Sequence, residues 1–201
     1  MVKADCGGCN GCSRCCHGMG NSIILDPYDV YRMTTGMGKS MQELLAASVE
    51  LNVVDGVILP NLKMQGTKEA CAYLDEEGRC SIHPYRPGIC RLFPLGRYYE
   101  NGGFSYFLQT GECAKENRSK IKVSKWIDTP DLTRNQQFTL QWHDLLHAME
   151  ERLTGEDEGK QREENLLLLR LFYLLPYEGT IDFYTQFTER MEHWNGQNGQ
   201  I

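Results

Sequence analysis

Five cysteines, Cys6, Cys9, Cys12, Cys15 and Cys16, fall within eleven residues near the start of the chain, and four more follow at Cys71, Cys80, Cys90 and Cys113. A two-residue gap lets the backbone fold back so that both sulfurs face one point, with amide N–H groups aimed at the thiolates. Gly7, Gly8, Gly11 and Gly18 supply the dihedral freedom such tight loops need. A scattered cysteine is usually a small buried hydrophobe. Five at this density, with glycines between them, cannot form a core element. The chemistry they point to is metal binding by thiolate; a redox-active thiol cluster without metal is the alternative.

Spacing narrows the choice. Three corners of a cubane cluster can be occupied by a C-x2-C-x2-C run, as in bacterial ferredoxins. Here the next gap is again two residues, Cys16 follows Cys15 at once, and no proline ends the run. It is therefore not the ferredoxin motif, nor the three-then-two spacing of radical S-adenosylmethionine enzymes. On an extended backbone the side chains of Cys15 and Cys16 point apart, so they can serve two metals, or one metal and one structural role. A vicinal disulfide between them is strained. Cys6 lies outside the four-cysteine run and reads as an accessory ligand or an exposed thiol.

The later cysteines have different surroundings. The nineteen residues from Arg79 to Arg97 contain Arg79, Arg86, Arg91 and Arg97 and no acid, on a chain of formal charge −6. Several thiolates at one site leave excess negative charge even after metal binding. Arginines nearby offset it and donate to sulfur, so Arg79, Arg86 and Arg91 are the expected cofactor-binding cations. Pro84, Pro87 and Pro94 stiffen the loops holding Cys80 and Cys90. The two cysteine groups are expected to converge in space. His17 and His83 are placed as ligands or as donors behind the ligands.

The remainder of the chain excludes several classes. With 201 residues, 41% apolar and 24% charged, it can build a real core over one to one and a half domains. No basic stretch followed by an apolar run opens it, which predicts a cytoplasmic protein whose thiols stay reduced. Leu166 to Leu175 is half the length a bilayer needs and contains Arg170, so a buried helix is expected there and no membrane association. Lys115 to Lys125 carries five cations against one acid; a solvated loop or strand is expected, not a nucleic-acid surface. His143 and His147 stand at i and i+4, but Asp144 replaces the glutamate that zinc peptidases need. An ordinary amphipathic helix is the expected role.

The elements that must position the cysteines follow from local signals. Residues 6–20 read as a loop shaped by its ligands. Asp26-Pro27 starts a helix that should stop near Gly36. Ser40 and Glu43 form a capping box for a helix over about 41–51. Residues 53–59 and 71–82 read as extended segments, with a turn at Asp75–Gly78. Asn101-Gly102 predicts a hairpin, and Tyr98, Tyr99, Phe104, Tyr106 and Phe107 around it are expected in the core. Helices are predicted over 132–153, 165–175 (ended by Pro176) and 181–194, with a fraying tail. The chain thus reads as α+β: an irregular cysteine-rich region with short β-hairpins over 1–125, packed against a helical region over 126–201 as one compact unit.

Cys9-x2-Cys12-x2-Cys15-Cys16, then Cys71, Gly78-Arg79-Cys80-Ser81-Ile82-His83 and Arg86-Pro87-Gly88-Ile89-Cys90-Arg91-Leu92-Phe93-Pro94, resemble the CxxCxxCC family over about residues 9–113. That family is described as zinc- or iron-chelating and related to the flagellin lysine N-methylases. The chain departs from it by the added Cys6 and by His83-Pro84 after Ile82. The resemblance implies chelation by Cys9, Cys12, Cys15, Cys16, Cys71, Cys80 and Cys90, and by Cys113. Two tetrathiolate sites, one larger cluster, or one four-ligand cluster with spare thiols all suit eight cysteines. An iron–sulfur cluster of [4Fe–4S] type is favoured, because the C-x2-C steps match cluster corners. Zinc in structural tetrathiolate sites is second, and a lysine N-methylase-like enzyme is the case by analogy. Metal ions are the expected partners, with the helical half as cover or as a protein-partner surface.

Overall fold

The computed structural model describes residues 1–5, 7, 12–115 and 117–198. Strand β1 (Val2–Asp5) opens the chain and pairs antiparallel with β8 (Ser119–Ile121), so the middle of the basic stretch is a strand, with Ser119 Oγ donating to Asp5 at 3.1 Å. Cys6 and residues 8–11, Cys9 among them, of the loop expected over 6–20 lie outside the described residues. A single 3-10 turn, Arg14–Cys16, leads to His17, which bridges to Ala70.

Helix α1 (Pro27–Met37) is fixed by a capping box: Asp26 accepts from the Asp29 amide at 2.8 Å and Asp29 accepts from the Asp26 amide at 3.2 Å. It does not stop at Gly36. It runs on to Gly38, whose φ of 64° is the left-handed conformation that closes a helix. Helix α2 (Met41–Ala47) has the expected Ser40–Glu43 box but is four residues shorter than predicted. The chain from Val49 enters β2 (Val49–Val54), whose partner is β3 (Val57–Leu62). Asp55 and Gly56, at φ 51° and 82°, form the two-residue turn between them. The segment 53–59 is therefore the tip of a hairpin, which the Asp-Gly pair signals.

Short strands β4 (Met64–Gln65) and β5 (Ala70–Cys71) pair next. The expected turn at Asp75–Gly78 is present, with Asp75 N–H bonded to Arg79 O at 2.9 Å. The strands predicted around it shrink to one bridge between Leu74 and Cys80. A 3-10 turn (His83–Tyr85) and the five-residue helix α3 (Gly88–Leu92) carry the chain to β6 (Leu95–Glu100) and β7 (Gly103–Leu108). Asn101 and Gly102 turn that hairpin as predicted. Alternation on a two-stranded sheet decides its aromatics: Tyr98 and Phe107 face outward, 60% and 48% exposed, instead of joining the core.

Helices α4 (Val123–Ile127), α5 (Leu132–Leu153), α6 (Glu158–Leu169) and α7 (Phe183–Asn198) complete the chain. The charged residues from Glu158 to Glu164 form the first turns of α6, capped by Asp157, so the helix starts before the predicted Asn165. A π-helical turn over Arg170–Leu174 ends that helix before Pro176. The main hydrophobic cluster draws on both halves, from Ile23, Val30 and Leu62 to Phe138, Phe172 and Trp194. Buried Asn165 ties them further: it accepts from Ile58 N–H at 2.6 Å and donates to Gly56 O at 3.2 Å. A second, smaller cluster forms around Leu92, Leu95 and Ile127. Among the described residues, no helix is long and apolar enough to cross a membrane.

Candidate metal centre

Local structure anchors Cys15, Cys16, Cys71, Cys80 and Cys90. Cys15 and Cys16 sit in the 3-10 turn, whose Ser13 carbonyl accepts from Cys16 N–H at 2.8 Å. The bridge from His17 to Ala70, with Gly18 N–H on Glu69 O at 2.9 Å, brings that turn beside Cys71 on β5. The Asp75–Gly78 turn returns the chain to Cys80, and Gly78, at φ 71°, approaches Ser13 of the N-terminal loop. Cys90 lies in α3, held against α1 through Gly88.

Cys12, Cys15, Cys16, Cys71, Cys80 and Cys90 all line one cavity of about 990 Å³. The cavity sits where the two hydrophobic clusters meet, with Ile23 and Ile82 on one wall and Leu95 and Trp126 on another. Arg79 and Arg86 line it too, as do His17 and His83. Arg14 and Lys68, two cations the sequence reading passed over, join them. Cys113 is not among the lining residues, although Gln109 and Glu112 of its segment are. Arg91 turns away as well: it is buried, 3.8 Å from Asp29 and donating to Thr129 Oγ1 at 2.9 Å. His143 stacks on Tyr99 with centroids 3.8 Å apart, which joins α5 to β6 and is the ordinary helical role expected of it.

The sulfurs influence one another. Cys15 and Cys16 were expected to point apart on an extended backbone; the 3-10 turn instead sets their side chains in mutual interaction. Hydrogen bonding from the Cys16 thiol lowers Cys15 to about 6, with a further contribution from Arg86, while Cys16 moves up. Burial pushes the Cys71, Cys80 and Cys90 thiols up. For Cys90 the negative charges of Asp29, Cys71, Cys15 and Cys80 add to that. Each of these sulfurs thus lies within electrostatic reach of several others, as a shared site requires.

The donor set fits a thiophilic metal group: soft sulfur ligands on one cavity, with Arg79 and Arg86 to offset their charge. Tetrahedral zinc would need four donors about 3.8 Å apart, given a Zn–S bond of about 2.3 Å. Among the described residues, no three His, Cys, Asp or Glu side chains converge closely enough to hold a single metal ion.

One family model, described as a "putative zinc- or iron-chelating domain", matches residues 8–139, running past Cys113 into α5. No curated protein and no solved structure matches the chain.

Proposed function

The chain belongs to the CxxCxxCC family, and on that premise we propose that it is a metal-binding protein whose cysteines hold one iron–sulfur cluster, of [4Fe–4S] type. The observation that carries this reading is the common cavity: six cysteines from four separate stretches of the chain line a single space. Two mononuclear zinc sites would divide those sulfurs into two tight tetrahedra. A cluster spreads its ligands over a wider body, which suits six cysteines placed around one cavity.

In this reading Cys12, Cys15, Cys16, Cys71, Cys80 and Cys90, with Cys9 from the same run, supply the ligand pool. Arg79 and Arg86 offset the thiolate charge. The aliphatic and aromatic walls limit water around the sulfurs, and both solvent exposure and hydrogen bonding to sulfur tune cluster potential. A cluster would bring electron-transfer or Lewis-acid chemistry to the cavity. Reduced thiols at this density also fit the cytoplasm.

Anaerobic purification, an absorption spectrum, and iron, sulfide and zinc analysis test the proposal. A brown protein with iron and acid-labile sulfide in equal amounts is expected. A colourless protein carrying two zinc ions per chain would overturn it.

A further inference from the structure

The connection between Cys80 and Cys90 is stiffened locally by Pro84, Pro87 and its 3-10 turn, but it contributes no strand that would tie it into a sheet. Three residues of α1 hold it instead. Asp29 accepts a 2.6 Å hydrogen bond from Gly88 N–H, Arg32 donates to the Pro84 carbonyl, and Gly36 leaves room for the ring of Tyr85. Positions 29, 32 and 36 are spaced i, i+3, i+7 and form one stripe on the helix.

Asp29 stands at the head of that stripe. It is 2% exposed, and its two oxygens are divided between tasks. Oδ2 closes the capping box of α1, whereas Oδ1 receives Gly88 N–H and lies 3.8 Å from Arg91 Nη2. Gly88 and Arg91 flank Cys90 in α3. Pro87 at the N-cap of α3 gives it no side-chain cap, so Asp29 fills that role from fifty-nine residues away. Arg91 is in turn braced by Thr129 Oγ1 and by the Tyr28 ring, 5.7 Å from its guanidinium carbon.

We propose that this stripe is the positioning element of the metal site, with Asp29 setting where the Cys90 sulfur stands relative to Cys80. The inference rests on the metal-binding reading of the cavity. Asp29 touches no metal itself; it acts through Gly88 and Arg91 on the short helix that carries the ligand.

The test is an anaerobic Co²⁺ titration of the full-length, metal-free chain. It reads the dissociation constant and the sulfur-to-cobalt charge-transfer absorption, with circular dichroism as the check on folding. Asp29→Ala is expected to weaken Co²⁺ binding at least tenfold and to reduce the charge-transfer intensity. Asp29→Asn, whose amide oxygen can still accept from Gly88, should recover most of that loss. Asp29→Ala combined with Cys90→Ser should bind no more weakly than Cys90→Ser alone, because both act on one ligand. If the two effects multiply, or if Asp29→Ala changes stability and leaves affinity and spectrum untouched, the proposal is overturned. Should Asp29→Ala fail to fold, Gly36→Ala displaces the same connection without touching a charge. Binding at least threefold weaker is then expected, and unchanged affinity overturns the idea. A wild-type chain that takes up neither Co²⁺ nor, on anaerobic reconstitution, iron and sulfide sinks the metal reading itself, a separate outcome from additive variants.

Discussion

The ring of Tyr85 lies against the Cα of Gly36, where a Cβ would overlap Cδ1 and Cε1 of the ring. A glycine after a short helical run invites the reading of a stop. Here it is a notch in a continuing helix, cut for a side chain that belongs to the segment between two cysteines. Helix propensity alone favours alanine at this position by about 1 kcal/mol. Overpacking costs about 1–3 kcal/mol. Gly36→Ala should therefore destabilise the protein by up to about 2 kcal/mol, read from a shifted denaturation midpoint at unchanged slope. A more stable variant would show that Tyr85 does not occupy the notch.

Cys12 and Cys80 come from different segments but face the same cavity. Either Cys12→Ser or Cys80→Ser should lower bound metal per chain by half or more. Cys113→Ser, outside that lining, should lower it least. Elemental analysis of the purified variants decides. Unchanged content in both of the first two would mean that the segments do not share a site.

Thiol reactivity should be uneven in the metal-free protein. Cys15 is lowered to about 6 by its interaction with Cys16, so at pH 7 it is largely thiolate. Burial holds Cys71, Cys80 and Cys90 protonated at that pH. Alkylation followed by peptide mass mapping should label Cys15 at least tenfold faster than those three. Metal uptake must expel the protons they carry, so affinity should fall as pH falls, with measurable acid release in weak buffer. Equal labelling rates, or no proton release, would contradict this assignment of charge.

Arg190 closes the π-helical end of the α6 segment. Its guanidinium donates to Leu171 O at 2.8 Å, Leu175 O at 3.0 Å and Pro176 O at 2.8 Å, and lies 3.5 Å from the Tyr177 ring centroid. Arg190→Ala leaves these carbonyls without their donor and should cost about 2–4 kcal/mol. Arg190→Lys should rescue little, because one ammonium cannot span the fork. Metal content in the folded fraction should stay at the wild-type level. A large loss of metal would show that the helical region does more than support the site.

Much of this protein is local and was legible in the chain. The Asp26-Pro27 start, the Ser40–Glu43 box, the Asn101-Gly102 turn and the run from Leu132 to Leu153 each depend on a few neighbouring residues, so their chemistry can be read in order. The thiolate site was legible for the same reason: the density and spacing of the cysteines have no core explanation. What failed was also local in form but decided at a distance. Gly36 reads as a terminator until Tyr85 is placed against it, and Arg91 reads as a counter-charge to sulfur until buried Asp29 and Thr129 claim it. Sequence determined which atoms could bind a metal and which segments carry them. Only the tertiary structure decided which of them share one cavity, which arginines face it, and that α1 contacts the connection between Cys80 and Cys90. Those relationships join residues dozens of positions apart, where no local propensity acts and burial, charge pairing and excluded volume decide.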